Sequence, residues 1–113
     1  MRDESLAACG GSHADEVNCA SKELGGVEAK LQASYGKMRA DAEKMDKAMK
    51  EAGSLAFGNS EEALIKSQKA FESYMQSECE RRVENMQGGT AGAGVEISCR
   101  KQLISERMKA LTQ

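Results

Sequence analysis

The chain has 113 residues, of which 30% are charged and 4% aromatic, with no Trp, no Pro and a net charge of −2. This length fits one small domain, and the interspersed acids and bases exclude the basic face of a nucleic-acid-binding protein. No apolar run approaches the roughly 18 residues of a membrane span, and no signal-peptide core stands at the N-terminus. We expect a tail over residues 1–11 and a single helical domain over residues 12–113.

The first predicted helix runs from Ser12 to Glu51. Residues 12–15 have the outline of a capping box, and apolar or small residues then recur at steps of three and four up to Met49. Gly25 and Gly26 lie inside this pattern, and each costs roughly 1 kcal/mol relative to Ala, which predicts a kink or short break. A helix of about 39 residues spans about 58 Å, longer than its partners can cover.

Two further helices are predicted, over residues 60–87 and 90–112. Residues 52–60 are typical of a loop, and Asn59 with Glu62 has the outline of a second capping box. Gly88 and Gly89 supply a stop signal after the second helix. No segment alternates with a period of two. The fold class is therefore all-α, a small three-helix antiparallel bundle with a long first helix.

The glycine-rich stretch at residues 87–94 reads QGGTAGAG. A phosphate-binding P-loop needs a Lys and a Ser or Thr after its last Gly, whereas Val95 and Glu96 follow here. The glycine order is also the reverse of a dinucleotide fingerprint, and a helix precedes it. We expect a helix connection and no nucleotide or other cofactor.

Four cysteines, an even number in a short chain, indicate two disulfides and an oxidising compartment. Buried free thiols in a cytosolic protein are the alternative. The chain has no Cys-x-x-Cys pair and one histidine, His13, so the ligand spacing of a structural zinc site is missing.

Helix geometry predicts a Cys79–Cys99 bridge. If the second helix ends near Gln87, Cys79 lies about 12 Å back from its end; if the third begins near Thr90, Cys99 lies about 13 Å from its start. Cys79 and Cys99 then lie at nearly the same height on neighbouring helices, which allows the Cα separation that a disulfide requires. This start places Gly92 and Gly94 in the first turns of the third helix, where glycine permits close helix approach.

Cys9 and Cys19 form the other predicted pair. Ten residues on one helix would separate them by about 15 Å, but Gly10 and Gly11 allow the tail to fold back along the first helix. A Cys19–Cys79 bridge is not excluded by geometry.

At this point the chain resembles a bacterial family, the lysozyme-inhibitor-like family named after the N-terminal domain of the LprI lipoprotein. The family's Trp-x-x-Tyr-Arg-Asp-x-Glu-Cys motif corresponds to residues 71–79, which read FESYMQSEC. Phe71 stands in place of Trp, and Met75 in place of Arg. The four-cysteine spacing, a Gly-Gly-Thr step at residues 88–90 and the end from Cys99 to Leu111 also match. The resemblance implies a secreted or periplasmic helical protein, with inhibition of host c-type lysozyme as its function.

Four polar and aromatic positions accompany this pattern. Tyr35 and Tyr74 are expected in the core with paired hydroxyls. Glu78 and Arg107 fall on the inward stripes of the second and third helices, which predicts a buried ion pair; contact with a partner is the alternative.

A lysozyme inhibitor of this kind would act by occlusion. An acidic protein gains association rate with a cationic partner, and a loop or helix end would enter the cleft near the two catalytic carboxylates. The candidate partner contacts lie at the two helix connections and are Ser54, Asn59, Glu61, Glu62, Gly88, Gly89 and Thr90.

The alternative is a cell-envelope interaction module without lysozyme activity. The Met38, Met45 and Met49 stripe would dock a partner or a second copy in a homodimer, although core packing against the second helix is the favoured explanation of the stripe. An enzyme is the third hypothesis, but no nucleophile–base set stands out and His13 lies beside a helix cap. We expect a non-enzyme with no metal site.

Overall fold

The computed structural model describes residues 13–53, 58–86 and 91–112. They form three helices: α1 is His13–Glu51, α2 is Ser60–Glu84 and α3 is Gly92–Leu111. No strand occurs within these ranges, and no helix in them is long and apolar enough to cross a membrane. The all-α, three-helix prediction is confirmed.

Helix α1 continues through Gly25 and Gly26 without a break. The predicted short break is therefore wrong. The two residues that flank this pair, Leu24 and Val27, pack against the buried core. Their packing offsets the roughly 1 kcal/mol cost of each glycine, because tertiary contacts routinely override intrinsic propensity.

The N-terminus of α2 is capped from another helix. Asn59 makes no side-chain capping bond, so the capping box predicted there is wrong. Instead the backbone N–H groups of Ser60 and Glu61 each donate to one carboxylate oxygen of Asp46, at 3.0 Å. These bonds hold the pKa of Asp46 below its usual value, that from Glu61 most strongly. One carboxylate on α1 thus satisfies two orphan donors of α2.

At the α2–α3 connection both helices are shorter than the sequence predicts. Helix α2 ends at Glu84, where the N–H of Asn85 donates to Arg81, and α3 begins at Gly92. A Cβ added at Gly92 would meet Val83 at an ordinary 3.5 Å, and one added at Gly94 would meet nothing within 4 Å. Close helix approach therefore does not require glycine at either position.

The Cys79–Cys99 disulfide sets the register of α2 against α3, with a Cα–Cα distance of 5.6 Å. This predicted bridge is confirmed, and it rules out the Cys19–Cys79 alternative. Cys19 is buried, and its predicted partner Cys9 lies outside the described residues. The two bonded cysteines are the centre of the core, whose buried apolar members are Leu31, Met75, Cys79, Cys99, Leu103, Ile104 and Leu111.

The predicted ion pair between Glu78 and Arg107 is wrong. In an antiparallel pair that is joined at Cys79 and Cys99, Arg107 lies eight residues further along α3 and so faces α2 near Phe71. Its guanidinium lies 5.6 Å from the centre of the Phe71 ring, and its Nε donates to Gln68 Oε1 at 2.9 Å. Eight residues of helix correspond to about 12 Å, and this offset is too large for the Arg107 guanidinium to reach the Glu78 carboxylate.

The C-terminal half of α1 extends past α3. Lys101 Nζ lies 3.2 Å from Glu23 Oε1, which places Leu111, the last residue of α3, at the level of residue 33 on α1. The remaining 18 residues of α1 rise about 27 Å further. Met38 still packs against the core, but Met45 is 61% exposed and Met49 41%. The core explanation of the methionine stripe therefore holds for Met38 alone.

Candidate partner-binding site

The predicted contacts at the α1–α2 end divide into two groups. Asn59 and Glu62 are exposed. Glu61 is partly buried and accepts a hydrogen bond from Arg39 Nε at 2.9 Å, which raises the pKa of Arg39. Because its backbone also donates to Asp46, Glu61 joins α1 to α2. The other predicted contacts, Ser54, Gly88, Gly89 and Thr90, lie outside the described residues.

A groove of about 320 Å³ lies between α1 and α2, with a contribution from α3. Its volume is at the lower end of the range for ligand pockets in proteins. Nine residues from the three helices line it: Glu28, Leu31, Gln32, Phe71, Glu72, Met75, Gln76, Arg100 and Ile104.

The floor of this groove is apolar and its rim is polar. Leu31, Met75 and Ile104 are buried, whereas the side chains of Glu28 and Glu72 stand exposed on opposite helices. This arrangement is suited to binding a ligand. The carboxylates can accept hydrogen bonds from a cationic group, and the apolar floor can pack against a hydrocarbon chain.

A second, shallower hollow of about 250 Å³ continues along α1 toward the α2 N-terminus. It is lined by Gly36, Arg39, Ala40, Glu43 and Glu61. Helix geometry places the α1 members of both hollows on one face, because residues 28, 32, 36, 39 and 43 follow steps of three and four. We call the two hollows together the α1–α2 groove; it extends about 22 Å along α1 at 1.5 Å per residue.

The α1–α2 groove carries an excess of negative charge. Its two arginines are both paired, Arg39 with Glu61 and Arg100 with Glu96, whose Nε–Oε2 distance is 3.1 Å. Glu28, Glu43 and Glu72 have no hydrogen bond or ion pair within the described part of the chain. Three carboxylates are therefore available to a cationic partner.

Two arginines of α2 surround the carboxylate of Glu78, whose side chain is 16% exposed. Arg81 donates to both oxygens of its carboxylate, at 2.9 and 2.7 Å, and Arg82 Nε donates at 2.9 Å. These bonds, from Arg81 first and then Arg82, lower the pKa of Glu78 to about 2. The side chain thus binds to its own helix, since i,i+3 and i,i+4 residues are neighbours.

The two tyrosines differ in environment. Tyr74 is 55% exposed, so its predicted core position is wrong. It lies one turn before Glu78 on α2. Tyr35 is half-buried.

Sequence reasoning missed the α1–α2 groove. Its signal exists in the sequence as the polar series at residues 28, 32, 39 and 43, but such a series on a long helix is also what a plain solvated face looks like. The register of α1 against α2 distinguishes the two, and that register is fixed by the Asp46 cap and the Arg39–Glu61 pair.

Comparison with protein families gives a match to the model described as Lysozyme inhibitor LprI, over residues 7–111. The chain belongs to the LprI lysozyme-inhibitor family. The resemblance seen in the residues is thereby confirmed over nearly the whole chain. No curated protein and no solved structure matches it. The LprI family is named for inhibition of an enzyme, which points to a protein partner.

Proposed function

We propose that this protein binds a c-type lysozyme and inhibits it by covering the cleft, without chemistry of its own. The match to the LprI family over residues 7–111 carries the proposal. A non-enzymatic binding role also fits the described surface, which includes the α1–α2 groove with its apolar floor and acidic rim.

Charge supports a cationic partner. The net charge of −2 is small, but the three unpaired carboxylates of the α1–α2 groove concentrate negative charge on one side. Complementary charge raises the association rate and fixes orientation. Asn59 and Glu62, exposed at one end of this groove, belong to the helix end that we expect to approach the lysozyme cleft.

A periplasmic or secreted location in a bacterium is part of the proposal. The Cys79–Cys99 disulfide supports it, because such bonds persist in oxidising compartments and are rare in the cytosol.

The direct test is a lysozyme assay on bacterial cell walls. Increasing amounts of the purified protein should reduce the rate and reach a plateau near one molecule per lysozyme. A glycosidase from another family, acting on its own polymer, should keep its rate in the same titration. Full lysozyme activity at a tenfold molar excess would rule the function out.

The exposed methionines of α1 favour a second candidate, an interaction module of the cell envelope. Met45 and Met49 lie on the part of α1 that α3 does not cover, and unpartnered apolar side chains of this size mark interaction surfaces when they group together. A homodimer through this surface would appear in sedimentation as a concentration-dependent rise in mass, and replacement of both methionines by Glu should abolish it. A monomer up to about 100 µM would eliminate the homodimer.

A further inference from the structure

We infer that the α1–α2 groove is the receptor for a long cationic side chain, an arginine or lysine, projecting from the protein partner. The inference rests on the proposed function for the identity of that partner. The groove itself defines the chemistry of what enters it.

The dimensions and lining of the groove select an amphipathic, positively charged side chain. Its floor is formed by buried Leu31, Met75 and Ile104, which suits the methylene stem of Arg or Lys. Such stems pack along apolar surface while the charged head stays near water. The head then reaches the rim, where Glu28 of α1 and Glu72 of α2 are exposed.

The rim carboxylates are free to accept a cation. Neither Glu28 nor Glu72 has a hydrogen bond or ion pair in the described part of the chain. The single basic residue that lines this hollow, Arg100, has its Nε on Glu96 at 3.1 Å. An anionic side chain would meet two carboxylates, and a neutral apolar one would leave both without a partner.

Two paired variants separate this site from general charge attraction. The groove variant carries Glu28→Gln and Glu72→Gln. The control carries Asp41→Asn and Glu84→Gln, which removes the same charge from exposed positions outside the groove lining. Each exposed ion pair contributes up to about fivefold in affinity, so the groove variant should bind lysozyme roughly 5- to 20-fold more weakly in calorimetry at low salt. The control should change binding less than about twofold.

A third variant, Gln32→Lys, fills the groove with a cation of its own. Lys at this position lies four residues after Glu28 and can pair with it along the helix. It should weaken lysozyme binding as the groove variant does. Unchanged circular dichroism and thermal midpoint establish that the loss is not unfolding.

A lysozyme-independent probe keeps the inference and the proposed function separable. Hexaarginine should shift the methyl resonances of Leu31, Met75 and Ile104 in the wild type and the control, and much less in the groove variant. If hexaarginine shifts these methyls while lysozyme does not bind, the proposed function fails and the groove assignment stands. The groove assignment is overturned if the groove variant inhibits lysozyme as well as the wild type does. It is also overturned if the groove and control variants lose the same affinity for lysozyme.

Discussion

The Cys79–Cys99 bridge should be the largest single contribution to stability in the described structure. It closes a loop with a sequence separation of 20, and the chain-entropy relation gives about 3 kcal/mol at 25 °C for that length. The two cysteines are 0% and 1% exposed, so replacing both by Ala removes packing as well as the cross-link. We expect the double variant to lose about 3 kcal/mol or more of unfolding free energy.

Urea unfolding followed by helical circular dichroism measures this loss. The variant should also show a larger m value, because an unfolded chain without the cross-link exposes more surface. The midpoint of thermal unfolding should fall by about 10–20 °C for a domain of this size. Ser98→Ala, at an exposed neighbour of Cys99, is the control and should change stability by less than about 0.5 kcal/mol.

A loss below about 1 kcal/mol with an unchanged m value would refute this reasoning. It would mean that core packing alone holds α2 and α3 in register, and that the bridge does not restrict the unfolded chain. The explanation of why Arg107 faces Phe71 rather than Glu78 would then have to rest on packing as well.

Three further predictions concern polar contacts. Asp46→Ala should accelerate hydrogen exchange of the Ser60 and Glu61 amides and lower the thermal midpoint, since it removes both caps of α2; unchanged exchange would contradict the cap. Glu78 has a folded-state pKa of about 2, below its unfolded value, so its stabilisation is present above the unfolded pKa and is lost as pH falls through about 2. In that pH window, the unfolding free energy of Glu78→Gln in urea titrations should decline less steeply than that of the wild type. Identical curves for the two proteins would contradict this prediction. Arg107→Met should lower the unfolding free energy by about 1–3 kcal/mol because it leaves buried Gln68 Oε1 unpaired. Adding Gln68→Leu to this variant should recover part of the lost stability. If the two substitutions instead destabilise additively, the pairing is disproved.

Much of the helical framework could be predicted from local sequence. The three- and four-residue steps along α1 repeat over so many turns that a helix is the only regular structure that places them on one side. The spacing of Cys79 and Cys99 on two adjoining helices predicts their bridge because rise per residue is constant. Family membership follows from the cysteine spacing and the motif around residues 71–79.

The contacts between helices could not be predicted in the same way. The cap of α2 comes from Asp46, fourteen residues before Ser60, and a local signal at Asn59 pointed elsewhere. Glu78 has two arginines within one turn on α2, so its partner is intrahelical, whereas Arg107 depends on the α2–α3 register. An inward stripe predicts which side of a helix is covered, but it does not identify the residue that covers it.

The sequence by itself determined that this chain is a helical, disulfide-bonded member of the LprI family, because helix period, cysteine spacing and motif residues are all readable along one dimension. The tertiary structure decided where α3 stops against α1, and hence that Met45 and Met49 are exposed while Met38 packs. It also decided that Glu28 and Glu72, from two different helices, line one hollow with an apolar floor. Both outcomes depend on the relative positions of separate helices, which are set by long-range packing and capping rather than by the period of any one helix.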